Sequence, residues 1–247
     1  MMKSLLDTLQ FLTTIPLRRV QADERLNVRL EFFPLVGILA GLVLATAGAA
    51  LSVVFPPFVT GASVIVLLVF ITGGLHLDGL ADTADGFGSS RPREEILRIM
   101  RDSRTGAMGV IAVACVLALK IAAASSLAPQ TRTQALLLMP VAGRCGMAVL
   151  MGYMPLARNE GLAAAVRPAR ATRQMIWSGA ALLIIGWLAW GMNGVLVGLA
   201  SLVALAPLSL LMLRKIGGIT GDTLGATCEV VETVSLVIAA GIGFGSG

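Results

Sequence analysis

The chain has 247 residues, of which 56% are hydrophobic and only 13% charged. With its 28 glycines the apolar share reaches roughly two-thirds, against about 45–50% in a soluble domain, so no charged rind can enclose a core. Three cysteines exclude a disulfide framework, and the same composition excludes disorder and a coiled coil. The expected fold is all-α, a polytopic membrane helical bundle forming one domain over residues 1–247.

Residues 4–17 come first. Leu5, Leu9 and Leu12 share a helical face, Pro16 closes the segment, and a long apolar signal core is missing. This reads as an N-terminal interfacial helix, an anchor lying on the bilayer. No Asp, Glu, Lys or Arg occurs over residues 32–77, a run long enough for two crossings of about 20 residues each. Phe55-Pro56-Pro57 divides it into spans 32–54 and 58–77. Spans 107–127 and 133–153 follow and contain Lys120 and Arg144. A second uncharged run, 174–213, reads as a hairpin of spans 174–190 and 194–213, broken at Gly191-Met192-Asn193-Gly194. A short span at 230–246 brings the expected number to about seven. Trp177, Trp187 and Trp190 sit near the ends of the fifth span and read as headgroup-level anchors.

Charge orients these spans. The tail before residue 32 and the loops at 91–104, 158–173 and 214–215 carry sixteen of the 19 basic residues, all on alternate connections. The positive-inside rule then places the N-terminus in the cytoplasm and the C-terminus outside. All 14 acids fall in or beside the same cytoplasmic segments, which that rule does not require. Polar chemistry is expected on the cytoplasmic face, and no nucleic-acid partner is expected.

The sharpest signal is GGLHLDGLADTADG at residues 73–86. Asp78, Asp82 and Asp85 stand at i, i+4 and i+7, within roughly a 60° arc of one helix face. Three adjacent carboxylates repel unless a cation lies between them, and Mg²⁺ takes carboxylate oxygens and bridges to substrate phosphates. The small residues between the acids allow a substrate or another helix to come close. A second glycine-rich acidic run, GGITGDTLGATCEVVE at 217–232, repeats the spacing with Asp222 and Glu229, and Glu232 follows one turn on. Both runs read G-G-x-x-x-D with an acid seven residues later, a pattern that fits a worn internal repeat or chance.

Asp102 and Arg104, in MRDSRTGAMG at 100–109, fit either an ordinary helix-capping loop or a phosphate grip. Arg144 lies at mid-span, where an arginine is costly unless paired, and so should reach an acid or a substrate phosphate. Lys120 lies nearer the outer end of its span and reads as snorkelling to the headgroups. His76, the only histidine, falls on a different face from Asp78 and fits a structural role at least as well as catalysis. Cys115, Cys145 and Cys228 share no ligand spacing and read as packing residues.

FLTTIPL at 11–17, FFPLVGILAG at 32–41, the two acidic runs, RIMRDSRTGAMGV at 98–110, Arg144 and the Arg158…Gly161 turn follow one another along nearly the whole chain. In these segments the sequence resembles the cobalamin synthase (adenosylcobinamide-GDP ribazoletransferase) family of the bacterial inner membrane. It departs at Arg101, where that family is expected to carry lysine. The resemblance implies joining of adenosylcobinamide-GDP to α-ribazole, or its 5′-phosphate, with release of GMP. It further implies Mg²⁺ held by Asp78, Asp82, Asp85, Asp222 and Glu229, with Asp82 and His76 as catalytic groups. Asp102, Arg104, Arg144 and Lys215 are the implied substrate or phosphate contacts. Oligomerisation and docking to other cobalamin-pathway enzymes stay open. Two other classes fit parts of the pattern. A CDP-alcohol phosphotransferase would need arginine where Asp82 stands, and a transporter would place its acids near the midplane.

Overall fold

The computed structural model describes residues 1–17, 26–167 and 171–245; Arg18, Arg19, Arg25 and Arg170 of the basic segments lie outside them. The helices are α1 (Met2–Leu12), α2 (Phe33–Val54), α3 (Pro57–Thr72), α4 (Leu75–Gly88), α5 (Arg93–Ile99) and α6 (Ala107–Ser126). They continue with α7 (Pro129–Tyr153), α8 (Leu162–Val166), α9 (Ala171–Val203), α10 (Leu205–Ile216) and α11 (Gly221–Gly245). Among the described residues five helices are long and apolar enough to cross a membrane, or six if the bent pair α3–α4 is one span. The all-α membrane class is what composition requires.

α7 is the axis of the bundle, buried almost continuously from Leu138 to Ala148 and packed against α2, α9 and α11. The outer helices instead expose Val53, Phe58, Phe70, Ile111, Ile184 and Leu188, an apolar belt of the kind that meets lipid chains. The uncharged run at 174–213 does double back where expected. Trp190 and Gly191 leave helical geometry, and the backbones of Gly186 and Gly194 touch, although a straight helix would hold them about 12 Å apart.

Two expectations are corrected. The second span does not run on to Leu77: α3 stops at Thr72 and α4 leaves at 90°. The last helix begins at Gly221 rather than residue 230, so the second acidic run forms its first turns. In α1, Ser4, Asp7, Thr8 and Leu12 are buried and Leu9 packs partly against the core, while Leu5 is half-buried. Asn27 and Arg29 donate backbone N–H groups to Asp7 Oδ2 (2.9 Å) and Thr8 Oγ1 (3.0 Å), which ties α1 into the protein.

Candidate active site

Two glycine-entered helices cross to make the site. Gly73 and Gly74 hold φ values of 62° and 73°, left-handed geometry that residues with a Cβ rarely adopt, and this pair makes the bend from α3 into α4. On the far side, Ile219 forms a single parallel bridge with Leu156: its N–H donates to Pro155 O and its carbonyl accepts from Ala157 N, each at 2.9 Å. The bridge fixes the start of α11 beside the loop that carries Arg158. α4 and α11 then meet backbone to backbone. A Cβ on Gly79 would lie 2.7 Å from the carbonyl oxygen of Asp222, and one on Gly225 3.2 Å from that of His76. Gly79→Ala is therefore expected to force the helices apart and lower both melting temperature and turnover. Gly225→Ala should be milder, because a shift of a few tenths of an ångström accommodates it. Thermal melts of the two variants in detergent check this order.

The crossing brings acids from both motifs together. Burial, and then the charges of Asp78, Asp222 and Asp85, push the Asp82 carboxyl up from 3.8 to about 6. These four carboxylates thus lie within electrostatic reach of one another. Asp222 Oδ2 accepts hydrogen bonds from Arg158 Nη2 (3.3 Å) and Thr220 Oγ1 (3.2 Å). Asp85 accepts the N–H groups of Gly106 (2.6 Å) and Gly109 (2.8 Å) at the start of α6, where the helix dipole favours an anion. Asp78 is exposed. Among the described residues no three His, Cys, Asp or Glu side chains already close around a metal position. The all-oxygen donor set and its mutual repulsion nonetheless suit a hard divalent cation, with Asp78, Asp82 and the second oxygen of Asp222 as its candidate donors.

The raised Asp82 value has a pH consequence. The folded state holds the extra proton, so this group's contribution to stability is greatest at acid pH and is lost as pH rises from about 4 to about 6. A cation among the carboxylates acts in the opposite direction, since protons compete with it. The rise in melting temperature on adding MgCl₂ should be full at pH 7.5 and small at pH 5, measured on the same detergent-solubilised protein.

Behind this cluster lies a second set of charges. Lys120 Nζ donates to Glu229 Oε2 (2.7 Å) and Glu232 Oε2 (2.5 Å), and Arg144 Nη1 donates to Glu232 Oε1. Lys120 and Arg144 are 1% and 0% exposed. Lys120 does not snorkel: α11 supplies it with two carboxylates inside the bundle. Glu229 is likewise turned to Lys120 rather than to the aspartates of α4. Arg144 meets an acid, one of the two expected alternatives, and its contact is Glu232 rather than a surface anion. Two cations and two anions neutralise one another there and tie α6, α7 and α11. Sequence reasoning singled out neither Glu232 nor Arg158 for a role; both stand inside the segments that carry the resemblance, which was the available signal.

The remaining expected contacts are dispersed. Arg104 forms an exposed two-bond pair with Asp102 (3.0 and 2.7 Å), which holds that carboxyl down at about 2, beside Asp85 in an open cleft. Lys215 Nζ donates to Phe87 O (2.9 Å) and so closes the end of α4. His76 is 1% exposed, and among the described residues neither ring nitrogen has a hydrogen-bond partner. It lines a cavity of about 110 Å³ whose wall also includes Asp78, Asp222 and apolar side chains of α1, α2, α7 and α8. On the other side of α4, an open groove bounded by Leu77, Val110, Val113 and Leu117 also reaches Asp78.

The family model described as cobalamin-5-phosphate synthase matches residues 4–240 of this chain. The chain belongs to the cobalamin-5-phosphate synthase family. Relatives named adenosylcobinamide-GDP ribazoletransferase include a protein of Acetivibrio thermocellus, 39% identical over 96% of this chain and 97% of its own length. Those of Brevibacillus brevis and Pseudomonas paraeruginosa are 34% and 38% identical, each over 97% of this chain and 98% of their own. No solved structure matches. The match covers both acidic motifs and all the membrane helices but the end of α11, and it sets the chain with the cobalamin synthases rather than with CDP-alcohol phosphotransferases or transporters.

Proposed function

We propose that this chain is an adenosylcobinamide-GDP ribazoletransferase, which joins adenosylcobinamide-GDP to α-ribazole or its 5′-phosphate and releases GMP. The observation that carries the reading is the convergence of two glycine-rich acidic motifs at one helix crossing, in a chain whose full-length relatives bear that name. The ribazole 3′-hydroxyl attacks the phosphorus next to cobinamide. A new P–O bond forms, the bond from that phosphorus to the bridging oxygen breaks, and GMP leaves with that oxygen. The hydroxyl proton passes to a carboxylate of the cluster, for which Asp82, set among Asp78, Asp85 and Asp222, is the candidate. A Mg²⁺ ion bound by Asp78, Asp82 and Asp222 would supply charge neutralisation for the diphosphate.

The residues themselves do the positioning. Arg158, held on Asp222 by the Leu156–Ile219 bridge, faces the place where a phosphate would lie, and the exposed Arg104 can exchange Asp102 for a phosphate oxygen. The groove beside α6 gives a bulky, amphipathic corrinoid an approach to Asp78 from the bilayer side. Counting the two arms of 172–216 separately, we read seven crossings with the N-terminus in the cytoplasm of a bacterial inner membrane and the site on that face. Reconstituted protein supplied with both substrates tests the activity: GMP should appear only when corrinoid and ribazole are present together. Release from adenosylcobinamide-GDP alone at the same rate would make the chain a hydrolase instead.

A further inference from the structure

The cavity behind Asp78 has a composition that selects its occupant. Its walls are Phe11 of α1, Phe33 of α2, Met147 and Met151 of α7, Leu162 of α8 and Leu224 of α11. Polar side chains enter it at three points only, the two carboxylates of Asp78 and Asp222 and the imidazole of His76. That imidazole is buried with both nitrogens unpartnered, a costly state that a ligand's hydrogen bond would relieve. No cationic side chain lines the pocket among the described residues, so a phosphate would be held at its mouth, by a cation on the carboxylates, and not among the apolar walls. A guanine base would leave most of its donors and acceptors unmatched among phenylalanine and methionine side chains. A corrin ring is far larger than about 110 Å³, whereas an apolar cavity of about 150 Å³ takes a benzene. A bicyclic base is larger than benzene, so flexible Met147 and Met151 must re-pack to admit it and part of it stays in the open mouth of the cavity.

We infer that this cavity binds the benzimidazole base of the ribazole substrate, with His76 donating to its one free ring nitrogen. The assignment rests on the ribazoletransferase reading and adds a subsite to it. The base is fused, flat and apolar, carries two methyl groups and has a single acceptor nitrogen, so one buried donor among apolar walls is the complement it needs. The ribose then lies at the cavity mouth, where its hydroxyls meet Asp78 and Asp222. Phe11 gives α1 a part in substrate recognition, beyond anchoring the chain to the membrane.

The test measures binding of α-ribazole to the full chain in nanodiscs by equilibrium dialysis, together with its KM in the GMP-release assay. Met151→Trp fills the cavity from inside. Leu162→Trp fills it from the half-exposed rim, where a larger side chain does not strain the core. Both are expected to weaken α-ribazole binding and raise its KM at least tenfold, with the KM for adenosylcobinamide-GDP changed less than about twofold. His76→Leu should do the same and His76→Asn, which keeps a donor, should recover part of the loss. Guanosine should not compete. Wild-type KM for α-ribazole in a folded Leu162→Trp protein, or competition by guanosine at equal concentration, would overturn the cavity assignment while leaving the activity standing. Wild-type protein that neither binds α-ribazole nor releases GMP would instead overturn the reading on which the assignment rests.

Discussion

Asp82→Asn should lower GMP release by about 10²–10³-fold while raising the melting temperature of the cation-free protein at neutral pH. The two effects share a cause. Asp82 lies among Asp78, Asp85 and Asp222, whose charges and the surrounding burial disfavour its ionised form. Removing its charge relieves that repulsion and so stabilises the resting fold, a trade common at sites organised for chemistry rather than stability. In the proposed mechanism it also removes a cation ligand and the proton acceptor, and losing one group aimed at developing charge typically costs about 10²–10³ in rate. Asp85→Asn is the comparison that isolates position from charge. Its amide oxygen can still accept an N–H from the start of α6, so turnover should fall much less than in Asp82→Asn. Steady-state GMP release and thermal melts on both proteins give the four numbers needed. Equal losses of activity in the two variants would mean that the cluster acts as a unit of negative charge with no special role for Asp82.

The second large effect lies in the buried tie. Glu232→Gln leaves Lys120 with one partner and Arg144 with none among its ionic contacts, at positions almost wholly enclosed. Breaking a buried pair by removing one partner costs about 3–5 kcal/mol, because an uncompensated charge stays inside. At about 2–4 °C per kcal/mol for a chain of this size, the melting temperature should drop by roughly 6–20 °C. Replacing Lys120 and Arg144 by Met together with Glu229 and Glu232 by Gln should recover much of that loss, since no charge then remains to be neutralised. A Glu232→Gln protein that melts like wild type but has lost turnover would show that this network serves catalysis instead of holding α6, α7 and α11 together.

Charge spacing made much of this molecule legible. The uncharged runs marked the membrane helices, and the break at Gly191 marked the hairpin that the structure contains. The acids of 73–86 marked one half of the site. The start of the last helix was misplaced because the uncharged stretch that marks a span begins only after Glu229 and Glu232, whereas Gly225 serves the close crossing of α4 with a helix that already begins at Gly221. That shift of nine residues carries Glu229 and Glu232 into the bundle, where they meet Lys120 more than a hundred positions away in the chain. No local pattern announces such a pairing; it depends on which helices become neighbours. The right-angled turn at Gly73–Gly74 was hidden for a different reason. Two glycines permit left-handed geometry without requiring it, and Leu75 and Leu77 continue the apolar character of the span beyond the bend.

The proposed divalent cation on the carboxylates of α4 and α11 decides whether ribazole transfer works as described. GMP release by EDTA-stripped protein in nanodiscs, with both substrates present and MgCl₂ then added back, tests it. The expected result is no release above background after stripping, full recovery with Mg²⁺, and no recovery in Asp82→Asn. Undiminished GMP release in EDTA, or restoration of Asp82→Asn to wild-type turnover by the same cation, would contradict it.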